Sequence, residues 1–183
     1  MPAYVLLLRA VNVGGTGKLP MADLRMLLAG LGYSNVETYI QSGNAVFDAR
    51  GTAGSVSKAV GAALEKLMGA PVGVVVRTHE DLTRIVAGNP FAAEAAADGA
   101  RVHVAFLAGP AGKDAPTALE QIVLNYPKRR DRYHLAVDTL YLHLPDGAGE
   151  TKFSGKMLDR AIGVIGTGRN WNTVLKLHAM SKR

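Results

Sequence analysis

The sequence predicts an α+β fold, in which a ferredoxin-like β-α-β-β-α-β unit is followed by a second, smaller α/β part. Short apolar or alternating runs, typical of strands, are interspersed with apolar residues at helical spacing. Glycine and proline turns separate these segments. Because the first pattern recurs in looser form, we expect a domain over residues 1–77 and a C-terminal part over 78–183 packed against it, which resembles a degenerate repeat.

The elements of the first half follow from periodicity. The first strand is apolar without alternation, which is typical of a central strand covered on both faces, and the helices carry apolar residues at i, i+3, i+4 and i+7. The predicted elements are the strand Tyr4–Arg9, a helix carrying Leu24 to Leu31 and ended by Gly32, a hairpin of Val36–Gln41 with Asn44–Phe47, a helix from Val56 to Leu67 and the strand Val72–Arg77.

The second half is expected to run as a short helix followed by β-α-β-β-α. The glycine-rich segment Gly163–Gly168 is interpreted as a helix C-cap followed by a turn. The predicted elements are a helix opening at Thr78 to Asp81, the strand Val102–Leu107, a helix from Asp114 to Leu124, a hairpin of Tyr133–Val137 with Leu140–Leu144, a helix from Lys156 to Ile165 and a last helix striped by Trp171, Val174, Leu175 and His178.

Two histidines in the second predicted hairpin are candidate metal ligands. If Asp138-Thr139 is a two-residue turn, His134 lies opposite His143 on the polar face, while Val137 belongs to the core face. A metal needs a third and usually a fourth ligand. No further ligand is evident, so a surface histidine pair is predicted and no metal site.

Composition excludes several classes of chemistry. The chain has no cysteine, so disulfides, thiol catalysis and cysteine zinc sites are ruled out. The first apolar run is far too short to span a membrane, and no basic segment precedes it. These features predict a cytoplasmic protein without membrane association.

The net charge of +6 is unevenly distributed. Residues 1–100 carry eight Lys/Arg and eight Asp/Glu, whereas residues 101–183 carry thirteen and seven. A basic half suggests an anionic partner such as phosphate, a nucleotide or nucleic acid. A solubility charge on an otherwise neutral surface is the alternative.

The loop after the first strand is the first candidate ligand site. Residues 14–18 are similar to a nucleotide-hydrolase loop, but Asn12 and Leu19 stand where that loop requires Gly and Ser/Thr. Successive amides of such a loop can still form an anion-binding concavity beside a helix start. A plain β-to-α turn is the alternative.

Two further segments carry special polar residues: the turn around Ser42-Gly43 and the start of the last helix, where Asn170 is the expected N-cap. We expect an anionic or phosphorylated small molecule to bind between the two halves, without a cofactor. The predicted ligand-binding residues are Arg9, Asn12, Gly14, Gly15, Lys18, Tyr39, Gln41, Ser42, Asn44, Lys156, Arg169, Asn170 and Asn172.

Two other functions stay open at this point. Nucleic acid could bind through the basic half, where residues 128–132 form a cationic cluster. Catalysis is the second open function. Side chains capable of acid–base chemistry are present at Lys156, Ser154, Tyr39 and His79, but their spacing matches no catalytic motif. The oligomeric state is not indicated.

The three segments together resemble one bacterial family, catalogued as domain of unknown function 1697. The resemblance rests on Leu8 to Gly15, Pro20-Met21, Thr38 to Phe47 and Thr167 to Leu177, and spans nearly the whole chain. It implies a ferredoxin-like fold with an extra α/β part and brings no established activity. Ala10 replaces a glycine common in the family motif, from which we expect a negative φ at that position.

Overall fold

The computed structural model describes residues 1–183 and divides into two compact units. The first unit contains residues 1–84 together with 175–183, and the second contains residues 85–174. With seven α-helices and two four-stranded antiparallel sheets, the fold is of the α+β class predicted from the sequence. None of the helices is both long enough and apolar enough to cross a membrane.

The first unit is built on a sheet of strand order β2-β3-β1-β4, in which neighbouring strands are antiparallel. The predicted element order β-α-β-β-α-β is found, and one more helix follows it. The elements are β1 (Ala3–Leu8), α1 (Met21–Gly30), β2 (Ser34–Tyr39), β3 (Asn44–Asp48), α2 (Ala53–Met68), β4 (Val74–Thr78) and α3 (His79–Ala87).

The second unit has the order β6-β7-β5-β8, which is the same topology. Two short helical segments precede the first strand of this sheet: α4 (Ala92–Ala97) and a 3-10 turn (Gly99–Arg101). The elements are β5 (Val102–Leu107), α5 (Ala115–Asn125), β6 (Arg132–Leu135), β7 (Thr139–His143), α6 (Gly155–Ile162) and β8 (Gly166–Asn170). Helix α7 (Trp171–Ser181) follows β8, and its residues from Leu175 onward belong to the first unit.

Strand β8 was not predicted, and it completes the second copy of the repeat. Gly163 is the expected left-handed C-cap of α6, with φ 75°, but the residues after it form a strand instead of a turn. Their sequence, Gly-Thr-Gly-Arg-Asn, contains no apolar residue that would mark a strand. The strand exists because it pairs with β5 along its whole length, from Gly166 to Asn170.

The two sheets correspond in register as well as in strand order. Val5 pairs with Arg77 in the first sheet, and Val104 pairs with Arg169 at the equivalent place in the second. Each arginine is 8% exposed. Each also donates from Nη1 to the carbonyl of the residue before it, at 3.1 and 2.8 Å. This agreement indicates that the two units are copies of one β-α-β-β-α-β module.

Each unit has an apolar core between its sheet and two helices. In the first, Phe47 is fully buried and stacks on Tyr33 with ring centroids 4.8 Å apart. The predicted apolar stripe of α2 faces this core, and a capping box between Thr52 and Ser55 begins that helix. In the second, α5 and α6 cover the sheet through Leu119, Ile122, Leu158 and Ile162, among others.

The predicted register of the second hairpin is wrong by two residues. His134 pairs with Tyr141, and His143 pairs with Arg132, whose Nη2 lies 3.1 Å from the histidine Nδ1. Thr139 belongs to β7, so the turn is shifted, and Val137 is 72% exposed instead of facing the core. The turn lies one residue earlier than assumed, since the amide of Ala136 donates to the carbonyl of Thr139 at 2.8 Å. Moving a turn by one residue shifts the pairing of the two strands by two.

A stacked pair of histidines joins α3 to the last residues of α7 within the first unit. The rings of His79 and His178 lie 4.8 Å apart at an interplanar angle of 6°. Thr83 Oγ1 donates to the carbonyl of His79 at 3.0 Å and lies 2.9 Å from His178 Nε2. Ser181 Oγ donates to the carbonyl of His178 and lies 2.9 Å from His79 Nδ1. Each hydroxyl has only one proton, so both ring nitrogens act as donors here.

Arg183 fastens the same segment to the outer strand β2. Its Nη1 donates to the carbonyl of Asn35 at 2.8 Å and approaches Asp48 Oδ1 at 3.3 Å, while Nη2 contacts Glu37 Oε1 at 2.8 Å. The arginine side chain is 21% exposed and the aspartate 13%. Residues 175–183 are therefore an integral part of the first unit.

The histidine pair predicts a loss of stability on acidification. Burial, then the nearby charges of His79 and Lys182, lower the pKa of His178. The unfolded chain consequently binds a proton more readily, so stability is full above the unfolded pKa of about 6.5 and falls as pH drops through it. We expect the melting temperature to decrease between about pH 7.5 and 5.5, measured by thermal denaturation.

Substituting His178→Gln should flatten part of this decrease. The pKa of His103 is also lowered, first by burial and then by the charge of Arg101. His103 should therefore account for the part of the decrease that remains in His178→Gln. His134→Gln, at an exposed position of β6, is the matched control for removal of an imidazole. A profile that only His178→Gln flattens assigns the effect to His178. An identical pH profile for His178→Gln and the unaltered protein would show that the pair does not sense pH.

Candidate functional site

The β1–α1 loop forms a miniature hairpin. Gly14 and Gly15 have φ of 60° and 77°, and the amide of Thr16 donates to the carbonyl of Val13 at 3.1 Å. Two successive positive φ values at a Gly-Gly pair are the signature of a tight type I′ turn. Both glycines are exposed, with nothing within 4 Å of the position a Cβ would occupy. The loop therefore presents bare backbone at its tip.

Asn12 closes the neck of this hairpin with its side-chain amide. Its Oδ1 accepts from the amide of Leu19 at 2.8 Å, and its Nδ2 donates to the carbonyl of the same residue at 2.8 Å. The second Nδ2 proton is donated to the carbonyl of Gln41 at 2.7 Å. Both donors of the Asn12 amide are thus used within the protein, and they join the loop to the β2–β3 turn.

The β2–β3 turn packs against the end of β1. The amide of Leu8 donates to the carbonyl of Gly43 at 2.9 Å. A Cβ on Gly43 would lie 2.4 Å from Val11 Cγ2 and 2.7 Å from Leu8 Cβ, so only glycine fits. Asn44 is fully buried and donates to the carbonyl of Tyr39 and to Ser42 Oγ, at 3.0 and 2.9 Å.

Residues 9–20 and 40–43 therefore form one surface, which we call the loop platform. It brings together all of the predicted site residues of the first unit that lie on loops, with Tyr39 and Asn44 at its base. Lys18 and Gln41 are exposed, and Arg9 is half-buried with its amide donating to the carbonyl of Gly73 at 2.9 Å. Neither stretch of the platform contains an Asp or a Glu.

The loop platform also concentrates backbone strain. Ala10, Asn12 and Ile40 have φ of 56°, 54° and 49°, and Asn35 is the only other non-glycine residue with positive φ. The left-handed conformation is particularly unfavourable for a β-branched residue such as Ile40. Strain of this kind persists only where surrounding structure fixes it, and it clusters at ligand-binding positions.

The expectation of a negative φ at Ala10 is wrong. The chain leaves β1 and reverses within two residues, and the carbonyl of Ala10 faces Gly17, where a Cβ would lie 2.5 Å from it. This reversal requires the left-handed conformation whether or not the residue is glycine. Alanine at this position therefore adopts a left-handed conformation that glycine would adopt at a lower energetic cost.

The predicted residues of the second unit have separate roles. Arg169 Nη1 donates to Thr167 Oγ1 and to the carbonyl of Gly168, both at 2.8 Å, and burial lowers its pKa to about 10. Asn170 is the N-cap predicted for α7, since its Oδ1 accepts from the amide of Thr173 at 3.0 Å. Lys156 is exposed at the start of α6, and no hydrogen bond or ion pair joins it to Arg169 or Asn170.

Asn172 lies against the 3-10 turn, where a Cβ on Gly99 would come within 2.2 Å of its Oδ1. Trp171, the only tryptophan, is 8% exposed and belongs to the apolar stripe, as its spacing indicated. No group of three metal-ligating side chains is found anywhere in the described chain. His79, considered earlier for acid–base chemistry, takes part in the stacked pair with His178.

Sequence reasoning missed one surface feature, a cleft at the end of α5. It has a volume of about 240 Å³ and is lined by Asn125, Tyr126, Pro127, Lys128 and Arg129. The sequence indicates the basic run after Pro127 as a cationic cluster. It does not indicate that Asn125 and Tyr126 line the same cleft as Lys128 and Arg129. An aromatic residue immediately preceding a cationic run is the signal that could have identified this cleft.

Comparison with known proteins identifies one family and a related fold. A family model described as "Protein of unknown function (DUF1697)" matches residues 1–141. No curated protein matches the chain. Among solved structures, the conserved bacterial protein SP0830 from Streptococcus pneumoniae superposes with a TM-score of 0.72 at 23% sequence identity. The alignment covers 99% of each chain, so the two proteins share their whole fold.

The substitution Ala10→Gly should stabilise the protein. Glycine removes a left-handed penalty of about 1–2 kcal/mol and adds back about 0.4–1 kcal/mol of unfolded-chain entropy. We expect a gain of about 1 kcal/mol in the free energy of unfolding, measured by urea titration. Ala108→Gly, in the corresponding loop of the second unit where φ is not positive, is the control and should be destabilising.

The substitution Asn12→Ala should destabilise the first unit strongly. It removes three hydrogen bonds of about 1 kcal/mol each, so a loss of about 2–3 kcal/mol in the free energy of unfolding is expected. Asn35→Ala is the matched control for this substitution. Asn35 also has a positive φ, but its side chain donates a single hydrogen bond, to Asp48. Equal losses for the two variants would show that Asn12 is no special link between loop and turn.

Proposed function

Because this chain belongs to the DUF1697 family, whose activity is unassigned, we propose from its geometry that it binds an anionic small molecule at the loop platform. The proposal concerns the first unit, where the platform is made entirely from residues 9–20 and 40–43. Phosphate and phosphorylated metabolites are the ligand class.

One observation supports the proposal above the others: the second unit provides an internal control. Both units have the same strand order and register, yet all four non-glycine residues with positive φ lie in the first. The fold therefore forms without this strain. Three of the four strained residues lie on the loop platform, which favours a role in ligand binding over a requirement of folding.

The chemistry of the platform fits an anion. Exposed Lys18 supplies a positive charge, and neither stretch of the platform contains an Asp or a Glu. Gly14 and Gly15 leave their backbone uncovered at the tip, so an oxyanion can approach the main-chain amides closely. Asn12 holds loop and turn together without a ligand, which keeps the surface preorganised and lowers the entropic cost of binding.

Lys18→Ala tests the proposal by thermal shift and calorimetry with inorganic phosphate, pyrophosphate and nucleoside phosphates. A ligand at one hundred times its Kd stabilises the folded protein by about 2.7 kcal/mol. We expect a clear rise in melting temperature with at least one of these anions, and a loss of most of it in Lys18→Ala.

Lys113→Ala is the matched control, because Lys113 is exposed in the equivalent β5–α5 loop of the second unit. It removes the same charge from the same topological position, outside the platform. An anion response that Lys113→Ala and Lys18→Ala reduce equally would contradict the proposal, and so would the absence of any response in the unaltered protein.

A further inference from the structure

The cleft at the end of α5 has the composition of a binding site that is separate from the loop platform. Its lining combines an aromatic ring, a proline, an amide and two cations, and includes no carboxylate. Its volume of about 240 Å³ is below the roughly 300–1,000 Å³ usual for drug-sized ligands. The cleft therefore holds only part of a ligand of that size, and the rest of the ligand lies outside it.

Positive charge in this region is concentrated at the cleft. Arg130 and Arg132 are paired with Asp146 and Glu94, respectively, away from the lining. Arg129 contacts Glu150 at 3.3 Å, but that carboxylate is 63% exposed, so the pair is weak.

Lys128, the remaining cation of the run, forms no ion pair. The uncompensated charge thus lies on the wall of the cleft, beside the ring of Tyr126. Exposed charge of this kind attracts phosphate groups at ordinary ionic strength.

The ring of Tyr126 is in contact with a lysine that does not line the cleft. Lys152 Nζ lies 5.2 Å from the ring centroid, and this lysine lines a separate small cavity with Tyr126, Asp131 and Phe153. This cation–π contact favours a defined orientation of the ring, which also lines the cleft. An oriented aromatic surface beside cations is the arrangement on which single-stranded nucleic-acid proteins stack bases.

We propose that this cleft binds a nucleotide unit, with the base against Tyr126 and Pro127 and the phosphate at Lys128 and Arg129. The amide of Asn125 is placed to bond the edge of the base. The same chemistry is offered by a free nucleotide and by one position of a single strand. This inference does not rest on the function proposed for the loop platform, since no residue is shared.

Fluorescence anisotropy of short labelled oligothymidine and oligouridine strands, with AMP as a competitor, tests the inference. Tyr126→Leu and Lys128→Ala should each weaken binding about tenfold, because stacking and phosphate contacts have energies of this order. Tyr126→Phe keeps the ring and should bind normally. Lys113→Ala controls for loss of charge in the same unit, and circular dichroism confirms that each variant is folded.

Each outcome has a defined meaning. Strand binding that both cleft variants weaken, and that AMP does not displace, identifies single-stranded nucleic acid as the source of the nucleotide. Displacement by AMP identifies a free nucleotide. No binding of either probe, binding unaffected by the cleft variants, or binding lost in Lys18→Ala but retained in Lys128→Ala would overturn the inference and leave the loop-platform proposal to its own test.

Discussion

The side-chain amide of Asn12 is the interaction on which the geometry of the first unit's loops depends. It satisfies both backbone groups of Leu19 and the carbonyl of Gln41, so it sets the neck of one loop and the position of the next turn. The strained conformations of Ala10 and Ile40 persist beside it because the surrounding hydrogen bonds and packing over-determine them. A single polar side chain thereby converts two connections into one defined surface.

The share of the fold that could be predicted from the sequence differs between the two units. In the first unit, periodicity identified every element of the β-α-β-β-α-β pattern, because apolar stripes such as Val56, Val60 and Leu64 do face the core. In the second, β8 escaped recognition because pairing with β5, and not residue propensity, makes Gly166–Asn170 a strand. The predicted hairpin register was also wrong, since the register depends on which residues form the turn and not on the alternation of Tyr133 to Leu144.

The candidate site was predictable in composition but not in conformation. Turn and loop signals identified Asn12, Gly14, Gly15 and Gln41 as unusual, and the structure joins them on one surface. The role of Asn12 as a link could not be inferred, because its partners are backbone groups brought near by folding. The left-handed Ala10 could not be inferred either, since a residue type constrains φ less than the path of the chain does.

The composition of the first unit has a consequence for the order in which the protein assembles on the ribosome. Arg183 bonds to strand β2 and His178 stacks on His79 of helix α3. Both residues are translated only after the entire second unit. The second unit, by contrast, is continuous over residues 85–174. Vectorial synthesis therefore supplies the sheet and apolar core of the first unit early, whereas its contacts with His178 and Arg183 form only after the whole second unit has been made.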